Sequence, residues 1–215
     1  MNTFVTSLAH HDITLTPRTP LTSGRPHMRV THFPSIKNHQ MVACENTLQA
    51  DFCVHLEHDP RVLAYKSRPF TLRFEKTGFI ARPHFAVTLR TGQCIYYDVR
   101  GVLEIEEYTR QRLSKTYDQF TQAGLHYEAL ALPALQINAH TSTLRCFYFQ
   151  LHGGSAEKAS VISDLLANHL QHRATIRSLI QQGIPLCDIA FGVFYRHLHA
   201  DLRQRPNLDF QVESA

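Results

Sequence analysis

Side chains capable of chemistry concentrate between Glu45 and Arg100. This stretch holds Glu-Asn-Thr-Leu-Gln-Ala-Asp-Phe-Cys at 45–53, His-Leu-Glu-His-Asp-Pro-Arg-Val at 55–62, Arg68-Pro69, Pro83-His84-Phe85 and Tyr96-Tyr97-Asp98-Val99-Arg100. Carboxylates that converge on one point hold a hard divalent cation, which polarises a phosphodiester and activates water. Imidazoles suit softer ions. His55 and His58 share a helix face at i and i+3, His169 and His172 roughly do, and His197 and His199 stand two apart. None has a cysteine or carboxylate at a spacing such as H-E-x-x-H, so these read as solvated surface histidines. A third chemistry is contact with phosphates. Arg18, Arg25, Arg29 and Lys37 precede the stretch, while Arg173, Arg177, Arg196, Arg203 and Arg205 follow it, as a DNA face or as a solvated surface.

In order and spacing the stretch resembles the TnsA transposition endonucleases of Tn7-type elements. Their pattern is an E-S-x-L-E helix, a Q-P strand, a P-D-F strand and a final E/Q-V-K strand. Val30 to Lys37 also resembles the lead-in to that catalytic domain. The likeness covers roughly residues 28–105, and the C-terminal third only loosely. It implies a restriction-endonuclease-like fold and a place on transposon-end DNA beside a TnsB-like transposase subunit and a TnsC-like ATP-dependent regulator. Carried over residue by residue, the family's catalytic positions fall on Gln49, His84, Asp98 and Arg100.

Of these four only Asp98 is a carboxylate. Gln49 is a weak ligand for Mg²⁺, and His84 offers a nitrogen that Mg²⁺ disfavours. Arg100 keeps a positive charge but stays protonated, so it binds phosphate and cannot act as a base. The expectation is a degenerate nuclease centre in a DNA-binding subunit, with no cofactor and no metal. Two arrangements would leave an active endonuclease that cuts the 5′ ends with Mg²⁺ or Mn²⁺. Glu45, one helical turn before Gln49, could supply a compensating carboxylate, or His84 with Asp98 could hold Mn²⁺ or Zn²⁺. A domesticated DNA-binding regulator, without a transposase, is the remaining alternative.

The elements that must position these residues follow from periodicity. Residues 1–40, with four prolines and one acid, read as a basic, loosely structured arm that tracks phosphates or packs across the core. Residues 41–152 read as an α/β nuclease-fold domain with a mixed sheet flanked by helices. Leu48, Phe52 and Leu56 mark a helix that Asp59-Pro60 ends. Strands are expected over Phe70–Phe74, Phe85–Leu89 and Cys94–Val99, with turns at Lys76-Thr77-Gly78 and Thr91-Gly92. A polar helix from Glu104 to about Ala123 stops at Gly124, and two strands follow, Tyr127–Leu132 and Leu144–Phe149. Gly153-Gly154-Ser155 reads as a linker. Residues 155–215 read as a small helical module, a winged helix or a generic bundle, with helices to Leu170, over Ile176–Gln182, after Ile184-Pro185 and over Phe194–Leu202, then an extended segment near Leu208–Val212.

Composition narrows the class. With 43% hydrophobic residues among 215 the chain can bury a core, and no run approaches a membrane span. Five cysteines, odd in number and without a C-x-x-C pair, suit reduced thiols. With no visible secretory signal, a cytoplasmic protein is expected, with no membrane partner. The formal charge of +4 permits a polyanionic partner.

Overall fold

Alternating apolar residues build the strands around which everything else is arranged. In the computed structural model, residues 12–19, 21, 30–101, 107–131, 139–170 and 172–215 are described. They form a mixed α/β protein with several sheets and, among the described residues, six helices. The chain separates into two compact units, Met1–Pro133 and Ala134–Ala215. Among the described residues no helix is long and apolar enough to cross a membrane.

The first unit runs β1 (Ile13–Pro17), β2 (Thr31–Ser35), β3 (Gln40–Cys44), α1 (Thr47–His58), β4 (Val62–Ser67), β5 (Phe70–Phe74), β6 (Phe79–Ala81), β7 (Phe85–Leu89), β8 (Cys94–Arg100), α2 (Glu107–Gln122) and β9 (His126–Ala131). Its central sheet has the order β4-β7-β8-β9. The first three strands are antiparallel neighbours, and β9 lies parallel to β8 after the crossover that contains α2. Tyr96 and Tyr97, adjacent on β8, point to opposite faces. On Tyr97's face, Phe52 of α1 packs with ring centroids 5.2 Å from Phe85 and 5.3 Å from Tyr97. On the other face, Phe120 of α2 sits 5.4 Å from Tyr96, 4.9 Å from Tyr127 and 5.5 Å from Phe74 of the β1-β5-β6 sheet. Burying a phenylalanine this way contributes about 1.5–3 kcal/mol, so the two helices clamp the sheet from both sides.

Within the segment read as an arm, the described residues contribute two strands. Ile13 and Leu15 alternate with Thr14 and Thr16, and β1 pairs antiparallel with β5. β2 and β3 form a hairpin whose turn places His39 at φ +52°. The strand β4, which carries a register shift between Val62 and Ala64, had no clear alternation to announce it.

The second unit runs α3 (Ala139–Gln150), α4 (Ala156–His169), β10 (Arg173–Thr175), α5 (Ile176–Gln181), α6 (Leu186–Phe194), β11 (Leu198–His199) and β12 (Gln211–Ser214). Its antiparallel sheet has the order β10-β12-β11. Two expectations fail here. Leu144–Phe149 is helical, because Leu144, Phe147, Tyr148 and Leu151 are the buried apolar positions, at i, i+3, i+4 and i+7. Phe194–Leu202 is not a helix. Arg196 turns to φ +63° just past α6, and the chain continues as β11. Gly153-Gly154-Ser155 lies inside this unit: a Cβ on Gly154 would collide with the Cys187 carbonyl and lie 2.7 Å from Phe191 Cβ. Ser155 caps α4 by accepting from the Lys158 N–H.

Candidate functional site

Asparagine 46 starts the site by starting α1: its side chain accepts from the Gln49 N–H at 2.9 Å. This places Gln49 in the first turn and Glu45 just before the cap. The two then lock together. Gln49 Oε1 accepts from the Glu45 N–H at 2.9 Å, and Gln49 Nε2 donates to Glu45 Oε2 at 3.3 Å. The amide of Gln49 is therefore engaged on both atoms, and the residue is buried at 1% exposure. Glu45 Oε1 in turn meets two guanidiniums, Arg68 Nη1 at 3.0 Å and Arg18 Nη2 at 3.5 Å.

The other residues come from the central sheet. Asp98 lies on β8, and its Oδ2 accepts from the Tyr127 hydroxyl at 2.9 Å. Its Oδ1 accepts at 3.2 Å from the His84 backbone N–H, which also reaches the Tyr97 carbonyl at 2.8 Å. Arg100 Nη2 stands 3.6 Å from Oδ2. The His84 ring uses Nδ1 to accept the Val99 N–H at 2.9 Å. An accepting Nδ1 means a neutral ring with its proton on Nε2. Burial agrees, lowering the His84 pKa from 6.5 against the smaller opposing pull of Asp98 and Glu45. The 3.7 Å approach of Nδ1 to Asp98 Oδ1 is thus no ion pair. Burial likewise raises the Tyr127 pKa, so its hydroxyl keeps the proton it donates.

His84, Asp98 and Arg100 therefore form one group, and Gln49 with Glu45 another. Arg18 spans the two, since its charge is felt by Glu45, Asp98 and His84, while the Arg68 N–H donates to the His84 carbonyl at 2.7 Å. Three guanidiniums, Arg18, Arg68 and Arg100, face two carboxylates, Glu45 and Asp98.

A divalent metal does not fit this arrangement. Both Asp98 oxygens hold protein donors, Glu45 is neutralised by arginines, Gln49 faces Glu45, and the His84 Nδ1 lone pair is occupied. Among the described residues no three His, Cys, Asp or Glu side chains converge on a point that could hold a metal ion. The excess charge favours an anion.

Two donors remain over. The Nε atoms of Arg68 and Arg100 are buried and have no hydrogen-bond partner. Each such N–H costs about 1–3 kcal/mol. Arg68 also sits at φ +47°, a left-handed backbone that is rare for a non-glycine residue and runs against the restriction imposed by Pro69. Strain of this kind, on the order of 1–3 kcal/mol, gathers at functional positions. Sequence reasoning passed over Arg68 except as half of an Arg-Pro pair. The available signal was a cation where the resembled pattern has a neutral glutamine. Tyr127 was read only as a strand residue, and nothing in its spacing marks it as the partner of Asp98.

The cations expected to meet DNA divide sharply. Arg18 is largely enclosed and donates to the Pro83 carbonyl at 3.1 Å as well as meeting Glu45. Lys37 donates its ammonium to the Leu56 and Asp59 carbonyls at the end of α1. Both of these expected DNA-binding cations therefore also make contacts within the fold. Arg25 and Arg29 lie outside the described residues. In the second unit Arg177 is exposed but held by Asp209 at 3.0 Å, whereas Arg173, Arg196, Arg203 and Arg205 are exposed. The paired histidines form no metal cluster among the described residues. No protein-family model matches this chain, and no curated protein matches it either.

Proposed function

We propose that this chain is a DNA-binding subunit of a TnsA-like kind, whose nuclease centre has become an arginine-rich, metal-free site. The observation that carries the reading is the charge pattern at the expected catalytic positions. What supports it is a helix start and adjacent strands at those positions, with acceptors that the protein's own donors occupy. What supports a restriction-endonuclease-like core is the β4-β7-β8-β9 sheet between α1 and α2, with an antiparallel run followed by a parallel strand. What supports a winged helix in the second unit is the order α4-β10-α5-α6-β11-β12, with β12 between β10 and β11. Its helix α6 carries Leu186, Cys187 and Phe191 as its less buried positions and no cation. Arg173 on β10 and Arg203 and Arg205 between β11 and β12 are therefore the DNA contacts of this unit.

Hydrolysis of a phosphodiester needs charge held by carboxylates and an activated water. Here Asp98 is engaged, and Glu45, the one compensating carboxylate, is held by Arg68 and Arg18. What the site's residues do is bind and orient: arginine forks take phosphate oxygens, Tyr127 fixes Asp98, and neutral His84 locks β8 against the start of β7. Alongside a transposase that cuts the 3′ ends, a subunit that leaves the 5′ strands uncut gives branched products that replication resolves into cointegrates. Plasmid cleavage in Mg²⁺ and in Mn²⁺ tests this, with the Gln49→Glu, His84→Asp, Arg100→Lys variant beside the natural chain. No cleavage is expected from the natural chain. Nicking that disappears in Asp98→Ala would overturn the reading. Long-read sequencing of insertion products extends the test to the assembled system, where simple insertions without a second nuclease would also defeat it.

A further inference from the structure

Between the end of β1, β3 and β4 lies a cavity of about 270 Å³. Arg18, Lys66 and Arg68 line it, with Gln40, Ser67 and Thr19 among their neighbours and no carboxylate in the wall. Lys66 and Arg68 are two residues apart at the end of β4, and Arg18 joins them from a distant part of the chain, so that meeting is a property of the fold. Lys66 stands on β4 with its ammonium 5.1 Å from the centre of the Phe70 ring, which positions the stem without giving the ammonium an acceptor. Arg68 brings the buried, unpaired Nε and the left-handed backbone already described. Ser67 fixes the wall by donating to the Ala43 carbonyl at 2.8 Å. Arg18 and Arg68 repel each other, and both draw on the single carboxylate of Glu45. An anion in the cavity would offset the repulsion and give the Lys66 ammonium an acceptor.

We propose that this cavity is a metal-independent binding site for a phosphate-type oxyanion, held by Arg18, Lys66 and Arg68. That its occupant is a nucleic-acid phosphodiester rests on the DNA-binding reading above. The chemistry of the pocket does not depend on it. Planar guanidinium and mobile ammonium together suit a tetrahedral oxyanion: Arg68 turns its fork toward two oxygens, and Lys66 closes on a third.

The test uses the full chain in EDTA and begins with inorganic phosphate, followed by amide chemical shifts. Saturable shifts are expected at residues 18 and 66–68. Arg68→Gln and Lys66→Gln should each weaken phosphate binding by roughly tenfold, the scale of one charge-assisted hydrogen bond. Lys66→Gln touches neither Glu45 nor the core, so it remains informative if Arg68→Gln fails to fold. A short duplex with and without a 5′-phosphate then separates the sources. Equal affinities identify an internal phosphodiester, and preference for the phosphorylated end identifies a terminal phosphate. Shifts that scatter without saturating, or unchanged phosphate affinity in both variants, overturn the proposal. If duplex binds while phosphate misses the cavity, the pocket falls and the DNA-binding reading stands. If phosphate binds there and duplex does not bind at all, the pocket stands and that reading falls.

Discussion

Two buried carboxylates in the first unit, Glu57 and Asp98, each accept a tyrosine hydroxyl, and their surroundings separate structure from function. Glu57 is fully buried near the end of α1. Its Oε1 takes the Ser35 hydroxyl at 2.6 Å and the Tyr65 hydroxyl at 2.8 Å, while Oε2 takes the Lys37 N–H at 3.2 Å. Ser35 Oγ then accepts from the Asn38 amide at 2.9 Å, so the accounting continues outward without a loose end. The network ties the turn after β2 to α1 and β4. Asp98 sits beside His84 and a partly exposed Arg100, whose buried Nε is left unmatched. A closed set of donors rigidifies a fold. An open, cationic set that costs stability is what a binding site looks like before its ligand arrives.

Deleting the two carboxylates should expose that difference most strongly. Glu57→Ala strands three donors and leaves a cavity, with an expected cost of about 3–5 kcal/mol. Asp98→Ala should cost about 1–3 kcal/mol, because Arg100 reaches solvent and loses only a weak partner. Urea unfolding followed by far-ultraviolet circular dichroism compares them. Equal costs would erase the distinction between the two sites. A gentler pair sharpens it: Tyr65→Phe, which removes one of the two hydroxyls that Oε1 of the fully buried Glu57 accepts, is expected to cost about 1.5–3 kcal/mol. Tyr127→Phe should cost about 0.5–1.5 kcal/mol, since Asp98 keeps Arg100 close by. A larger loss for Tyr127→Phe would mark Asp98 as a structural acid after all.

How much of this was legible follows from the range of each signal. The strands β5, β7 and β8, the helix α1 and the caps at Ser155 and Gly124 are local, written in alternation, in a stripe or in one residue's backbone freedom. The helical spacing of Leu144, Phe147, Tyr148 and Leu151 was legible too, but the aromatic, β-favouring composition around it argued for a strand. β1 could be counted as a strand only once β5 stood beside it, because pairing partners nearly sixty residues apart leave no joint mark in the sequence. At the site, the residue types at positions 49 and 84, glutamine and histidine, showed the scarcity of negative charge directly. What replaced it did not show, since Arg18, Arg68 and Glu45 meet only through the fold. Lys37 illustrates the same limit: its charge suggested a phosphate, and its geometry gives it the end of α1.

His84 supplies the smallest effect and the most specific one. Its folded-state pKa lies below the ordinary 6.5 because burial disfavours the cation, with Arg100 and Arg18 pushing the same way and Asp98 and Glu45 opposing. An unfolded chain therefore takes up the proton first as pH falls. Between the ordinary value and the folded one, the unfolded state holds more protons, so stability declines on acidification. The contribution is complete above about pH 6.5 and is lost as pH falls through the folded-state value. One titrating group limits the slope to about 1.4 kcal/mol per pH unit. Protonation has a local consequence as well. A protonated Nδ1 would point a donor at the Val99 N–H, breaking the bond that holds β8 to the start of β7. His84→Asn keeps an acceptor near that position and removes the titration. Stability curves measured between about pH 7.5 and 5 should therefore diverge, the natural chain falling more steeply and His84→Asn remaining flatter. Parallel curves would mean that His84 is already as free to charge as an exposed imidazole. The occupied lone pair of a neutral His84 would then no longer count against a metal there.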